Sequence, residues 1–166
     1  MRFVTIGYIE WRKGQDILAD ALEGVSPEIL AGSEFLLVGQ DGSALARELR
    51  GRIGAKPWIR MTGPVGREEI HRILEEADVL VCPSREDPMP TVCAEAMMHR
   101  VPCLVSDAVG TAVYMADGVD GMIFKNGCRE GLREKIIWCI NNRNAVKEMG
   151  NEAYKVFERV FSVKAF

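Results

Sequence analysis

Several common α/β signatures are missing from this sequence. No G-x-G-x-x-G follows the first apolar run, so the dinucleotide fingerprint is absent and a nicotinamide role loses support. There is no G-x-x-x-x-G-K-[ST], which argues against a nucleoside triphosphatase, and no G-x-S-x-G. An Asp-x-Asp pair, the usual carboxylate arrangement for holding a divalent metal on a diphosphate, is also lacking. The chain has two histidines, and none of its five cysteines form a C-x-x-C pair, so neither a zinc site nor a disulfide framework is expected. The odd cysteine count reads as reduced thiols used as small core residues, and hence as a reducing, cytoplasmic setting. No apolar run approaches the roughly 18–20 residues that span a bilayer. The opening MRFVTIGYIEWRKG has no small-residue cleavage site and reads as a strand rather than a signal peptide. A formal net charge of −3 gives no reason to expect nucleic acid or an anionic membrane as partner.

What is present fits one globular domain over residues 1–166, with 48% hydrophobic and 27% charged residues. Short apolar runs alternate with amphipathic stretches. Phe3–Gly7, Phe35–Val38, Trp58–Met61, Val79–Cys82 and Pro102–Ser106 read as strands, most of them too continuously apolar to be half-exposed. Gly121–Lys125 is a weaker candidate, suited to a sheet edge. Helical patterns cover Gln15–Leu22, Leu45–Ile53, Arg67–Glu76 and Thr91–Arg100. A last helical stretch runs from Glu130 to about Phe161, broken near Asn141–Asn144. The alternation predicts right-handed βαβ units in a Rossmann-like, doubly wound and mostly parallel sheet of about six strands, with helices on both faces.

In such sheets ligands sit beyond the carboxyl ends of the strands, near a topological switch point. The loops there are GYIEWRKG, GQDG, TGPVG, PSREDPMP and DAVGT. Lys13 offers a point charge for phosphate, and Gly14 beside it lets backbone approach a ligand. Taken alone, however, the loop fits a solvated lysine near Arg12 and Glu10. In Ser84–Arg100, Pro88 and Pro90 stiffen the approach to a helix, with Pro90 suited to its first turn. The N–H groups at that helix start are a natural seat for a diphosphate. Asp87 lies before the helix and Glu95 lies one turn in. On physical grounds these carboxylates read equally well as a helix cap with a dipole-complementing surface charge, or as a clamp for sugar hydroxyls.

Three segments together resemble the C-terminal, donor-binding domain of family 4 (group 1) retaining glycosyltransferases, which have the two-domain GT-B fold. IGYIEWRKGQDIL is similar to the family's Gly-Arg…Lys-Gly strand-loop-helix. EEADVLVCPSREDPMPTVCAEAMMHRVPCLVSDAVGT is similar to its Glu-x7-Glu region and following strand, and DGVDGMIF to the next turn and strand. The resemblance implies that Glu95 binds the ribose hydroxyls and Asp87 a hydroxyl of the transferred sugar. It implies that backbone of Pro88, Met89, Pro90, Thr91 and Val92 meets the diphosphate and sugar. Lys13 would neutralise the leaving phosphate, Gly7 and Tyr8 would border the donor, and Val65 would lie near the base. Three positions depart from the family pattern: Tyr8 replaces an arginine, Asp87 is one methylene shorter than glutamate, and Arg100 stands where glycine is frequent.

The implied chemistry is hexosyl transfer in glycan or polysaccharide biosynthesis, with retention of configuration, from a nucleotide-sugar donor. No cofactor or metal is expected, and Lys13, Asp87 and Glu95 form the catalytic set. A GT-B enzyme works between two halves, so an N-terminal acceptor-binding domain is an expected partner, and any membrane contact would run through it. The chain, starting at a strand and ending in FSVKAF, is expected to be a piece of a longer enzyme with little turnover by itself. Two alternatives remain: a non-catalytic nucleotide-sugar-binding module, with Tyr8 as its trace, and half of a nucleotide-sugar 2-epimerase, for which His99 is a poor acid–base candidate.

Overall fold

The computed structural model describes residues 1–163. Six strands form one parallel sheet: β1 (Arg2–Ile6), β2 (Glu34–Val38), β3 (Ile59–Gly63), β4 (Val79–Cys82), β5 (Cys103–Ser106) and β6 (Gly121–Phe124). Their order is β3-β2-β1-β4-β5-β6, and every neighbouring pair is parallel. The helices are α1 (Gln15–Glu23), α2 (Pro27–Leu30), α3 (Ala44–Ile53), α4 (Arg67–Glu75), α5 (Thr91–Met98), α6 (Arg129–Asn141) and α7 (Arg143–Val156). The fold is therefore the Rossmann-like α/β architecture expected from the sequence, and β6 is an edge strand.

Side chains alternate across each strand and divide the core in two. Phe3, Phe35, Leu37, Val79, Val81 and Leu104 pack on one face with residues of α1, α3 and α6. Val4, Leu36, Leu80 and Val105 pack on the other with α4, α5 and α7. The Phe3 and Phe35 rings stack at 4.6 Å between centroids, and Trp58 meets Phe35 edge-on at 6.3 Å. The continuous apolar runs follow from this double coverage, since both sides of each central strand are buried. All five cysteines are free and four are buried. Burial pushes the Cys139 thiol up to about 12.

The structure corrects several boundaries. The helix predicted over Thr91–Arg100 stops at Met98, and Arg100 adopts a left-handed conformation with φ +59°. That geometry explains why glycine suits this position: an L-residue here crowds its own Cβ against backbone. The arginine is held in place by its guanidinium, 4.1 Å over the Tyr154 ring. The helical stretch ending near Phe161 breaks at Asn142, as the Asn-rich segment suggests, and finishes in a π turn over Phe157–Phe161. Short elements were not foreseen: α2, and 3-10 turns at Trp11–Lys13 and Gly110–Tyr114. The terminal FSVKAF extends into residues 164–166, outside the described residues.

Strand order reverses between β1 and β4, so their following loops run to opposite faces and leave a crevice. At its β1–β2 side, Gly7 N–H donates to Val38 O at 2.9 Å and Gly39 N–H to Gly63 O at 3.1 Å. Gly39 has φ +146°, and a Cβ there would lie 1.9 Å from Gly7 O. Gly39→Ala is expected to lose at least about 2 kcal/mol. Thermal melts should then show the midpoint falling by roughly 4–8 °C; an unchanged midpoint would mean that the two loops separate freely.

Candidate donor site

The loop after β1 and the loop after β4 are fastened together. Gly14, with φ +69°, brings its Cα so close that a Cβ would sit 2.0 Å from Pro83 O. Arg85 N–H donates to Arg12 O at 2.8 Å. The Arg85 guanidinium forms a two-pronged pair with Asp16 at 2.8 and 2.6 Å, donates to Trp11 O at 2.6 Å, and lies 4.7 Å over the Trp11 ring. Buried Gln15 donates to Tyr8 O at 2.7 Å, fixing the start of the same loop. Arg85, Asp16, Trp11 and Gln15 were not singled out in the sequence. Their only trace there is an arginine in the second loop and a carboxylate at the first turn of α1.

This staple delivers Lys13 to Asp87. Lys13 Nζ donates to Asp87 Oδ2 at 2.5 Å, with side chains 22% and 9% exposed. Asp87 does not cap α5, which starts without any side-chain cap. Its backbone is instead fixed from the other side, where Gly110 N–H donates to Asp87 O at 2.9 Å and Asp87 forms an isolated bridge with Val109. Pro90, expected in the first helical turn, is the N-cap residue: its ψ of 113° is extended, and the helix begins at Thr91. Cys93 N–H donates to Pro90 O at 3.0 Å, and because no side chain caps the helix, the N–H groups of Thr91 and Val92 stay available to an anion.

Two depressions adjoin at Ile6. A small enclosed cavity of about 20 Å³ lies behind the ion pair, bordered by Thr5, Lys13, Gln15, Ser84, Asp87, Pro90 and Val92. It has room for one water-sized group. Thr5 Oγ1, buried at its wall, has no hydrogen-bond partner among the described residues. The second depression is an open cleft of about 230 Å³ lined by Gly7, Tyr8, Gly39, Gln40, Val65 and Ile70, among others. A cavity of ~150 Å³ admits benzene, so this cleft accommodates a flat ring.

The structure thus brings Gly7, Tyr8 and Val65 into one cleft, and Lys13, Asp87, Pro90 and Val92 around the other. Pro88, Met89, Thr91 and Glu95 border neither. Met89 is exposed, with Thr111 Oγ1 at 3.9 Å from its sulfur, and Glu95 is half-buried one turn along α5. Among the described residues, no group of three or more His, Cys, Asp or Glu side chains is arranged to hold a metal ion.

Burial raises the Asp16 carboxyl, but hydrogen bonds and charge from Arg85 outweigh it and hold the group below its ordinary value of 3.8. A carboxyl whose pKa falls on folding stabilises the fold above its unfolded pKa, and that contribution is lost as pH drops through the folded value. The stability difference between wild type and Asp16→Asn should therefore be full above about pH 5 and shrink progressively as pH falls below about 4 through the folded value. Urea titrations across this range check it, and a difference that ignores pH would count against the Arg85 staple.

Comparison with known proteins places the chain. The family model described as glycosyl transferases group 1 matches residues 1–142. An uncharacterized glycosyltransferase of Methanocaldococcus jannaschii is 27% identical over 159 residues, 95% of this chain and 43% of that protein. The D-rhamnosyltransferase WbpZ of Pseudomonas aeruginosa is 24% identical over 164 residues, 96% of this chain and 41% of that protein. The crystal structure of Anabaena HepE in complex with UDP-glucose superposes with a TM-score of 0.86 at 23% identity, over 99% of this chain and 45% of that one. The chain thus spans less than half the length of these relatives, and the crystallographic likeness establishes the shared fold. The family match covers most of the chain, which belongs to the group 1 glycosyl transferases.

Proposed function

We propose that this chain is the donor-binding half of a retaining hexosyltransferase that draws its sugar from a nucleoside diphosphate sugar. The observation that carries the reading is convergence at the switch point: Lys13, an uncapped α5 N-terminus and a ring-sized cleft stand side by side. The base occupies the cleft beside Val65, Tyr8 stands at its diphosphate end, and the diphosphate lies between Lys13 and the N–H groups of Thr91 and Val92. Glu95 holds the ribose hydroxyls, and Asp87 receives a sugar hydroxyl at the oxygen that Lys13 leaves open. Charge developing on the leaving diphosphate is stabilised by Lys13 and the helix N-terminus, without a metal held by the protein. The complex of HepE with UDP-glucose supports this choice of ligand class.

The acceptor is bound by a second, N-terminal domain, which also makes any membrane contact, and the enzyme works in glycan or polysaccharide assembly in the cytoplasm. Free buried thiols fit that compartment, and no helix among the described residues is long and apolar enough to cross a membrane. The chain alone binds donor and turns over little.

A thermal-shift panel of sugar nucleotides tests the reading. A ligand at ten times its Kd stabilises by about 1.4 kcal/mol, a rise of roughly 3–5 °C for a domain of this size. The rise should vanish in Lys13→Ala and Glu95→Ala, each judged against its own unliganded melt. A folded chain that no nucleotide shifts would overturn the assignment. Tyr8 is 58% exposed. Tyr8→Arg should therefore leave the melt unchanged while tightening nucleotide binding; weaker binding would place Tyr8 against the base rather than near the diphosphate.

A further inference from the structure

We infer that Asp87 is a specificity-determining residue that sets the site against free nucleoside diphosphate, so that the intact donor is preferred over the product it leaves. The inference rests on the donor-site reading above. Its starting point is that the lysine offered to phosphate already has a partner: Lys13 Nζ sits 2.5 Å from Asp87 Oδ2, and the two side chains are 22% and 9% exposed. The backbone is held at both ends of the pair. That of Lys13 is fixed by the contact of Gly14 with Pro83 O and by the bond from Arg85 N–H to Arg12 O. Asp87 is pinned through its carbonyl by Gly110, where an added Cβ would lie 1.7 Å from Pro88 O.

Nor do the adjacent loop cations stand unpaired. Arg85 is committed to Asp16 and Arg12 faces Glu10 at 3.4 Å, while Tyr8 supplies no charge. A phosphate that reaches Lys13 therefore comes within about 5 Å of the Asp87 carboxylate. At that range the repulsion from Asp87 is of the same order as the attraction from Lys13. The burden falls unequally on the two ligands. A terminal phosphate, with a second pKa near ~6, approaches a double negative charge at neutral pH. The same phosphate esterified to a sugar carries one charge. The sugar also brings hydroxyls that donate to Asp87 Oδ1, the oxygen not used by Lys13. Asp87 thus meets a donor group in the intact ligand and a bare anion in the product.

Calorimetric titration of the chain with a nucleoside diphosphate and with its hexose ester tests this, the nucleoside being the one that gives the largest thermal shift. Asp87→Asn keeps the shape and removes the charge. It should tighten free diphosphate binding by about tenfold while the ester, whose hydroxyl then meets a neutral acceptor, gains nothing or weakens, so that preference for the ester collapses. Adding Lys13→Gln should then undo most of that gain. Asp87→Ser provides a second uncharged variant should the asparagine form melt early. Diphosphate affinity that is unchanged or weaker in both folded variants overturns the inference and leaves the donor site standing. If wild type and variants alike bind no nucleotide, the donor-site reading fails and this inference falls with it.

Discussion

The close approach of Gly14 to the Pro83 carbonyl is the constraint on which the site depends. Two loops leave adjacent parallel strands toward opposite faces of the sheet, and topology alone would let them splay apart. A residue with a Cβ at position 14 could not come so near. Once glycine permits the approach, Arg85 spans the gap, satisfying a carboxylate, a carbonyl and an indole face at once. A forked guanidinium suits this task, because one planar group fixes several partners with little further loss of freedom. Lys13 is carried along by its neighbours and arrives at Asp87 from a position 74 residues away in sequence.

The three departures from the family pattern find different physical settings. Arg100 takes a left-handed turn that glycine would make without strain, and it retains packing on Tyr154 in return. Tyr8 is exposed at the mouth of an apolar cleft, so its replacement of an arginine changes what lines that cleft and not how the chain folds. Asp87 is drawn in by Lys13 and by the backbone of Gly110, and its reach suits a partner that is already close.

Much of the scaffold was legible in the sequence, because strands buried on both faces leave continuous apolar runs and helices at 3.6-residue period do not. Val79–Cys82 was placed to the residue, and the Asn-rich break between α6 and α7 marked itself by its loss of apolar periodicity. The four-residue α2 and the 3-10 turns are too short to show any period. Lys13, Asp87 and Val65 could be named from their segments. The pairing of Lys13 with Asp87 could not, nor could that of Arg85 with Asp16, since each joins residues about 70 positions apart through loops with no repeating pattern. The family resemblance assigns Glu95 to the ribose hydroxyls, yet its segment gives no sign that the side chain lies outside both cavities.

The pairing of Lys13, Arg12 and Arg85 with neighbouring carboxylates also bears on how a ligand arrives. A funnel of unpaired cations pulls anions in from beyond a Debye length and makes capture fast and sensitive to salt. Here the positive charges are cancelled within a few ångströms, on a chain whose formal net charge is −3. For the proposed donor this means little attraction until it reaches the crevice itself. Encounter is then governed by diffusion and orientation, with association rates on the order of 10⁵–10⁶ M⁻¹s⁻¹ that vary little with ionic strength.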